Sequence, residues 1–322
     1  MDSIGLAHNP LSAPALSLVV PVYYEEECIE QFLLETKAVL EGMRIHWEIV
    51  FVDDGSQDRT AAIIKAAAAS DSRLKLVEFS YNHGKNAALT AGIAHATGTY
   101  LLMMDPDLQD PPIEIPRFWA EIHKGYDLVF GVREEKKDAW LNKQFSAIFW
   151  WTLEKFTGLA LPRGLAVMRI FSRRFADRFL QYREENRFLE GMFMHVGMKR
   201  STLVVAQRER FAGVSKFNFR RKMKLAINAI FDFSELPLRL AVNFGLILTL
   251  LGVLGIVGIA VARIFFIDFQ LGWPSMMVTL ILGFGLQIFF TGIAAVYIGK
   301  IYKESKQRPL YSIKEKTNLG TW

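Results

Sequence analysis

The chain is 322 residues long, carries 38 Lys+Arg against 33 Asp+Glu, is 51% hydrophobic and has one cysteine. Those numbers exclude a disulfide scaffold and a disordered polyelectrolyte. The net charge of +5 is unevenly placed: residues 1–206 sum to −4, 207–239 to +5, 240–298 to zero and 299–322 to +4. A nucleic-acid partner needs a basic face on the large soluble part, and that part is acidic. The basicity therefore reads as attraction to anionic lipid on either side of a membrane segment.

Residues 1–24 hold no Lys or Arg, so no signal peptide is expected and the large N-terminal part is placed in the cytosol. Cys28 as a lone thiol fits a reducing compartment. Apolar β-rich runs then alternate with helical patterns. Leu16–Val22 leads into Glu25–Leu40, Glu48–Val52 into Arg59–Ala69, Leu74–Phe79 into Lys85–Ala96, and Tyr100–Met104 into Pro112–His123; Asp127–Gly131 closes the series. This is the sequence form of an α/β fold with a mostly parallel, Rossmann-like sheet covered on both faces.

Ligands of such open sheets bind at the carboxyl edge, and two acid-rich turns fall there. Asp53-Asp54-Gly55-Ser56 follows the second strand, and Asp105-Pro106-Asp107-Leu108-Gln109-Asp110-Pro111-Pro112 follows the fourth. Two carboxylates one residue apart suit a hard divalent cation, Mg2+ or Mn2+, that also takes substrate phosphates. Turn formation and helix capping explain either segment taken alone. Neither glycine-rich phosphate loop, G-x-x-x-x-G-K-[ST] or G-x-G-x-x-G, is present, so a nucleotide must be held in another way.

Leu240–Ala262 is 23 residues without a charge and Phe269–Ile298 is 30 more. At 1.5 Å per residue each covers a hydrocarbon core of about 30 Å, predicting a transmembrane hairpin whose second helix runs from about Ser275 to Ile298 after the interfacial Trp273-Pro274. Arg220, Arg221, Lys222, Lys224 and Arg239 precede the first span, and Lys300, Lys303, Lys306 and Arg308 follow the second. That bias puts both termini in the cytoplasm of an integral membrane protein. Residues 217–233 mix basic with apolar residues and read as an amphipathic helix lying in the interface. The expected organisation is a catalytic domain over 1–214, a juxtamembrane helix over 215–238, the hairpin over 239–300 and a basic tail over 301–322. Gly245, Gly252, Gly255 and Gly258 would permit close helix packing, either in a homo-oligomer or within the hairpin.

Val20-Pro21-Val22-Tyr23-Tyr24-Glu25-Glu26, Val52-Asp53-Asp54-Gly55-Ser56, Asn82-His83-Gly84-Lys85-Asn86-Ala87-Ala88 and the Asp105–Pro112 segment, in this order and ahead of a terminal hairpin, resemble the successive motifs of family-2 glycosyltransferases with the GT-A fold. The resemblance covers essentially the whole chain. Its nearest subgroup is the polyprenyl-phosphate glycosyltransferases, dolichol-phosphate mannose synthase-like enzymes and especially the bactoprenol glucosyltransferases.

Position by position, the resemblance implies that Pro21, Tyr23, Glu25, Asp53 and Asp54 form the nucleotide-sugar site and that Lys85 faces the diphosphate. Asp105 and Asp107 match the DXD motif, with Asp107 as first choice for direct metal ligand, and Gln109 faces the donor sugar. Arg208–Lys216 resembles an R-x-x-G-x-S-K segment in which Arg210, Ser215 and Lys216 bind the acceptor phosphate, beside Arg169. In one respect the chain departs from the pattern. Gly164 and Val167 stand where a D-x-G-D-F-R-like segment has carboxylates.

A missing base would cripple transfer to a sugar hydroxyl. A phosphate monoester, with a second pKa near 6, is already largely dianionic and attacks unaided. The implied reaction is metal-dependent, inverting hexose transfer from a nucleotide sugar, UDP-glucose by resemblance, to undecaprenyl or another polyprenyl phosphate, giving a lipid-linked sugar of the bacterial cell envelope. Two alternatives stand beside it. An inactive scaffold or lipid-flippase assistant would account for Gly164 and Val167. A processive polysaccharide synthase would need more spans and a Q-x-x-R-W segment, which Gln207-Arg208-Glu209-Arg210-Phe211 does not supply.

Overall fold

The computed structural model describes residues 13–133, 162, 164–184, 189–208, 236–265 and 272–320. The chain divides into two compact units, one of Met1–Ala147, Leu159–Lys216 and Pro309–Trp322, the other of Ile148–Gly158 and Phe217–Arg308.

The first unit is built on four parallel strands, β1 (Leu16–Val22), β2 (Trp47–Asp53), β3 (Leu74–Phe79) and β4 (Tyr100–Met103), paired in the order β4-β1-β2-β3. Their near-continuous apolar runs follow from burial on both faces. Helices α1 (Ile29–Gly42), α2 (Thr60–Ser70), α3 (Lys85–His95) and α4 (Ile115–Ile122) link and cover them, with a 3-10 turn at Pro112–Glu114 before α4. Gly92 lets α3 lie against the sheet, because a Cβ there would meet Val19 Cγ1 at 2.4 Å. The helix expected from Glu25 starts at Ile29: Tyr24 has a positive φ of 55°, and residues 25–28 are spent on a turn whose Cys28 N–H donates to Glu25 O at 3.0 Å.

Beyond β4 the sheet is mixed. The run expected to extend the parallel series, β5 (Leu128–Arg133), does not lie beside β4. β6 (Leu165–Ser172) inserts between them, antiparallel to both, and β7 (Arg200–Val205) adds parallel to β5 at the edge. At the far edge β8 (Ile313–Thr317) pairs antiparallel with β3, so the full order is β7-β5-β6-β4-β1-β2-β3-β8. Part of the segment expected as a basic tail is thus a strand of this same sheet. Two short helices, α5 (Arg173–Phe179) and α6 (Leu189–His195), surround β6 with an aromatic cluster in which Phe193 meets Phe171, Phe175 and Phe179.

The second unit comprises α7 (Leu236–Phe265) and α8 (Trp273–Ser305), which touch at Phe244 and Phe290 with ring centroids 5.9 Å apart. α8 begins at Trp273 and takes in Pro274, whose missing N–H is harmless in a first turn. Among the described residues one stretch, Thr279–Ser305, is long and apolar enough to cross a membrane, an 18-residue window within it having mean hydropathy 2.0; Leu240–Gly252 is apolar but shorter. A Cβ added at Gly245, Gly252, Gly255 or Gly258 would meet nothing within 4 Å, so these glycines do not bring the two helices together. The expected amphipathic helix over 217–233 lies outside the described residues.

Candidate active site

The loops at the carboxyl ends of β1, β2 and β3 are tied to one another by side chains that the sequence placed there for local reasons. Ser56, in the turn after β2, gives its Oγ proton to Asp53 Oδ1 and accepts from the Tyr24 N–H at 3.0 Å. Thr60 Oγ1 accepts from the Glu25 N–H at 3.0 Å. The loop after β1 is therefore held by the loop after β2. Gly55, at φ +79°, lets the loop after β2 also lie against the loop after β3, because a Cβ on it would sit 2.7 Å from the Tyr81 carbonyl carbon.

Asp54 is a hub. Its carboxylate accepts from the His83 N–H at 2.6 Å, the Gly84 N–H at 2.9 Å and Asn82 Nδ2 at 2.9 Å, which fixes the loop after β3. Burial pushes its pKa above the ordinary carboxylate value, against the pull of the His83 and Gly84 donors. Asp53 is raised for the same reason, with Ser56 opposing. At the end of that loop Gly84 takes φ +93° and α3 begins with Lys85, whose Nζ lies 2.6 Å from Asp105 Oδ2. Both members of this pair are partly solvent-accessible.

Asp107 is 5% exposed. Its Oδ1 accepts from the Gln109 N–H at 3.1 Å across Leu108, which has a positive φ of 58°. Gln109 O in turn accepts from the Arg208 N–H at 2.9 Å, and Arg208 Nη1 lies 3.1 Å from Glu35 Oε2. The chain leading into the basic Arg208–Lys216 segment is thereby hooked onto the acidic loop. Pro21 is buried in β1 opposite Val52, and Tyr23 packs edge-on against Tyr24 with centroids 4.6 Å apart. Arg210, Ser215 and Lys216 lie outside the described residues.

Arg169 stands on β6 at 3% exposure, between the rings of Phe130 and Phe193. It donates to the carbonyls of Val167 and Ala166 at 3.1 and 3.2 Å and faces Glu190 at 3.7 Å. Burial pulls its pKa below the usual guanidinium range, while Glu190, Asp105 and Asp110 act the other way. Its Nη1 has no hydrogen-bond partner among the described residues. Glu190, on α6, supplies a carboxylate beside an arginine whose own segment has none at 164 or 167. The sequence reading did not single it out, because its approach to Arg169 depends on how α6 packs. It also gave no role to Asp110, which accepts from Arg133 Nη2 at 3.1 Å and from the Met168 N–H at 3.3 Å and so anchors the acidic loop to β5 and β6.

Cys28 provides a probe of this geometry. It is 2% exposed, and burial together with the Glu25 and Asp107 carboxylates pushes its thiol up to about 11. At pH 8 only about one thiol in a thousand is ionised at such a pKa, and the thiolate is the reactive form. Native protein should thus show almost no reaction with Ellman's reagent at pH 8, and one thiol per chain should appear on denaturation. Rapid reaction of the native state would mean that Cys28 does not sit in this negative pocket.

The acidic pair can hold a cation by its chemistry: two oxygen-donor carboxylates on one short loop, one buried and oriented, the other beside a lysine, match the way Mg2+ or Mn2+ is held jointly with substrate phosphates. Among the described residues there is no cluster of three or more His, Cys, Asp or Glu side chains that could hold a metal alone.

The family profile described as Glycosyl transferase family 2 matches residues 17–181. An uncharacterized glycosyltransferase, YkcC, of Bacillus subtilis (strain 168) is 34% identical over 303 residues, 93% of each chain. The bactoprenol glucosyl transferase of Shigella phage SfX is 35% identical over 302 residues, covering 94% of this chain and 99% of that protein. The undecaprenyl-phosphate 4-deoxy-4-formamido-L-arabinose transferase of Enterobacter sp. (strain 638) is 32% identical over 312 residues, 95% of this chain and 94% of that one.

Proposed function

We propose, since this chain belongs to glycosyl transferase family 2 and is a glycosyltransferase of the GT-A fold, that it transfers a hexose from a nucleotide sugar to a polyprenyl phosphate at the cytoplasmic face of a membrane. The observation that carries this reading is the Lys85–Asp105 pair beside the buried Asp107, at the carboxyl edge of the sheet. Full-length relatives named for bactoprenol and undecaprenyl phosphate support the acceptor class. Glucose is the sugar favoured by the name of the bactoprenol glucosyl transferase, and UDP as its carrier rests on the resemblance of the sequence motifs alone.

In this reading the loops cross-linked by Asp54, Ser56 and Thr60 seat the nucleotide, with Pro21, Tyr23, Glu25 and Asp53 lining it. Lys85 swings from Asp105 to the diphosphate and stabilises the charge that develops as the glycosidic bond breaks. Asp105 and Asp107 hold Mg2+ or Mn2+, which when bound neutralises the leaving diphosphate. A phosphate oxygen of the lipid attacks the anomeric carbon from the opposite face, and the nucleoside diphosphate leaves with inversion. Arg169, Arg210, Ser215 and Lys216 are assigned to the acceptor phosphate, since charge-assisted donors suit phosphate oxygens. Attack by a phosphate needs no base, which suits the absence of carboxylates at Gly164 and Val167.

The return of β8 to the catalytic sheet supports a two-span anchor. Both chain segments flanking α7 and α8 belong to the same folded unit, so the number of crossings between them must be even. If α8 crosses, α7 crosses back. Exposed Ile281, Phe284, Ile288 and Phe289 along α8 suit contact with lipid.

The test is transfer from a panel of radiolabelled UDP- and GDP-sugars to undecaprenyl phosphate by purified protein, with Mg2+, Mn2+ or EDTA. Metal-dependent label in the organic phase from one donor is the expected result. Nucleotide binding with no lipid labelling from any donor would overturn it in favour of the inactive scaffold.

A further inference from the structure

We propose that Tyr311 and Ser312, carried back to the sheet by the segment after α8, are positioning residues for the loop that presents Lys85. The proposal rests on the assignment of that loop to the nucleotide sugar. Two sets of contacts grip the loop between β3 and α3. On one side stands Asp54, which takes the His83 and Gly84 N–H groups. On the other is the C-terminal segment. The β3–β8 ladder shifts register between Glu78 and Phe79, and the chain beyond the shift reaches the loop itself. Ser312 O accepts from the Ser80 N–H at 3.0 Å and from Ser80 Oγ at 3.3 Å, and the Ser312 N–H donates to His83 Nε2 at 3.1 Å. The Tyr311 ring stacks on Phe79, centroids 5.0 Å apart and 10° from parallel, and Phe79 meets His83 edge-on at 5.4 Å. Tyr311 also packs against the small cluster that includes Ala87, Ala88 and Ala91 of α3, the helix that starts with Lys85.

Further along, the segment is anchored away from this loop. Asn318 Nδ2 donates to Ala68 O at 2.8 Å and Leu74 O at 2.9 Å, and Lys65 bridges Glu315 and Glu78. The loop it steadies is glycine-containing and short, and holding each of its backbone residues in one conformation costs entropy. With only Asp54 holding it, the loop would spend less time in the conformation that aims Lys85, and apparent donor affinity falls in proportion to that fraction.

The experiment uses the full-length protein and reads two quantities, amide hydrogen exchange at His83 and Gly84 and affinity for UDP. Tyr311→Ala and Ser312→Pro are expected to speed both exchanges and to weaken UDP binding about tenfold, scaling with a tenfold loss of the competent fraction. Tyr311→Phe, which keeps the ring, is expected to restore wild-type values. Asn318→Ala is expected to lower the melting temperature while leaving exchange at His83 and Gly84 and UDP affinity unchanged. Unchanged exchange in Tyr311→Ala and Ser312→Pro, or equal changes in Asn318→Ala, would overturn the proposal. The exchange arm needs no substrate, so it decides the matter even if the protein transfers no sugar.

Discussion

Asp107→Asn is expected to cut kcat/KM for lipid glycosylation by at least about a thousandfold while shifting the melting temperature little, because electrostatic stabilisation of a leaving diphosphate is worth several kcal/mol. The choice of Asn is deliberate. Asp107 Oδ1 accepts from the Gln109 N–H and so shapes a turn in which Leu108 takes a positive φ. An amide oxygen keeps that bond, so the variant removes charge without removing the turn. Dependence of nucleotide binding on Mg2+ or Mn2+ should disappear with it. Because the metal also contributes to nucleotide binding, KM should rise as kcat falls, so that kcat/KM drops further than kcat. Near-normal turnover in Asp107→Asn would remove the residue from the metal site.

The second large effect is expected at Asp54, where the damage is structural first and catalytic as a result. Asp54→Ala strands the His83 and Gly84 N–H groups and Asn82 Nδ2, which that carboxylate satisfies at 3% exposure. A fully buried donor left unpaired costs about 1–3 kcal/mol, but His83 and Gly84 are only half-buried and Asn82 is exposed, so water takes up part of the lost bonding, about 2 kcal/mol of stability should be lost, and activity should fall with it. Thermal unfolding and transfer rate measured on the same preparation check both parts. Asp54→Asn should cost less, since it keeps one acceptor. The sign of the pH dependence follows from the raised pKa. Between the ordinary carboxylate value and the raised one, the folded state holds a proton that the unfolded state has released. Stability contributed by wild-type Asp54, relative to Asp54→Asn, therefore declines as pH rises through that window. Stability rising over the same window would mean that the three donors outweigh burial.

Much of the catalytic framework was legible because it is local. The apolar runs that became β1 to β4 are buried on both faces and therefore unbroken by polar residues, and the helices between them have the longer period. Lys85 and Asp105 each follow the carboxyl end of a parallel strand, so their place on one edge was legible, whereas their contact was not, because β1 and β2 lie between the strands that lead to them. The hub formed by Asp54 was only half visible. Its place in the turn was read, but its partners at 82–84 are two backbone N–H groups and one amide, and backbone donors carry no residue signature.

The sequence by itself determined the alternation of strands and helices, the acidic carboxyl edge and the apolar character of the C-terminal helices, because each depends on neighbours within a turn or a strand. Only the tertiary structure decided that β6 separates β5 from β4, that Glu190 faces Arg169, that Arg133 holds Asp110, and that the chain returns after α8 to pair β8 with β3. These contacts join residues far apart in the chain, where loop closure is governed by the whole fold and leaves no local period. β8 shows the reason most plainly: Ile-Lys-Glu-Lys-Thr is short and charged, as an exposed edge strand must be to avoid pairing with other chains, and those same features make it read as a solvated tail.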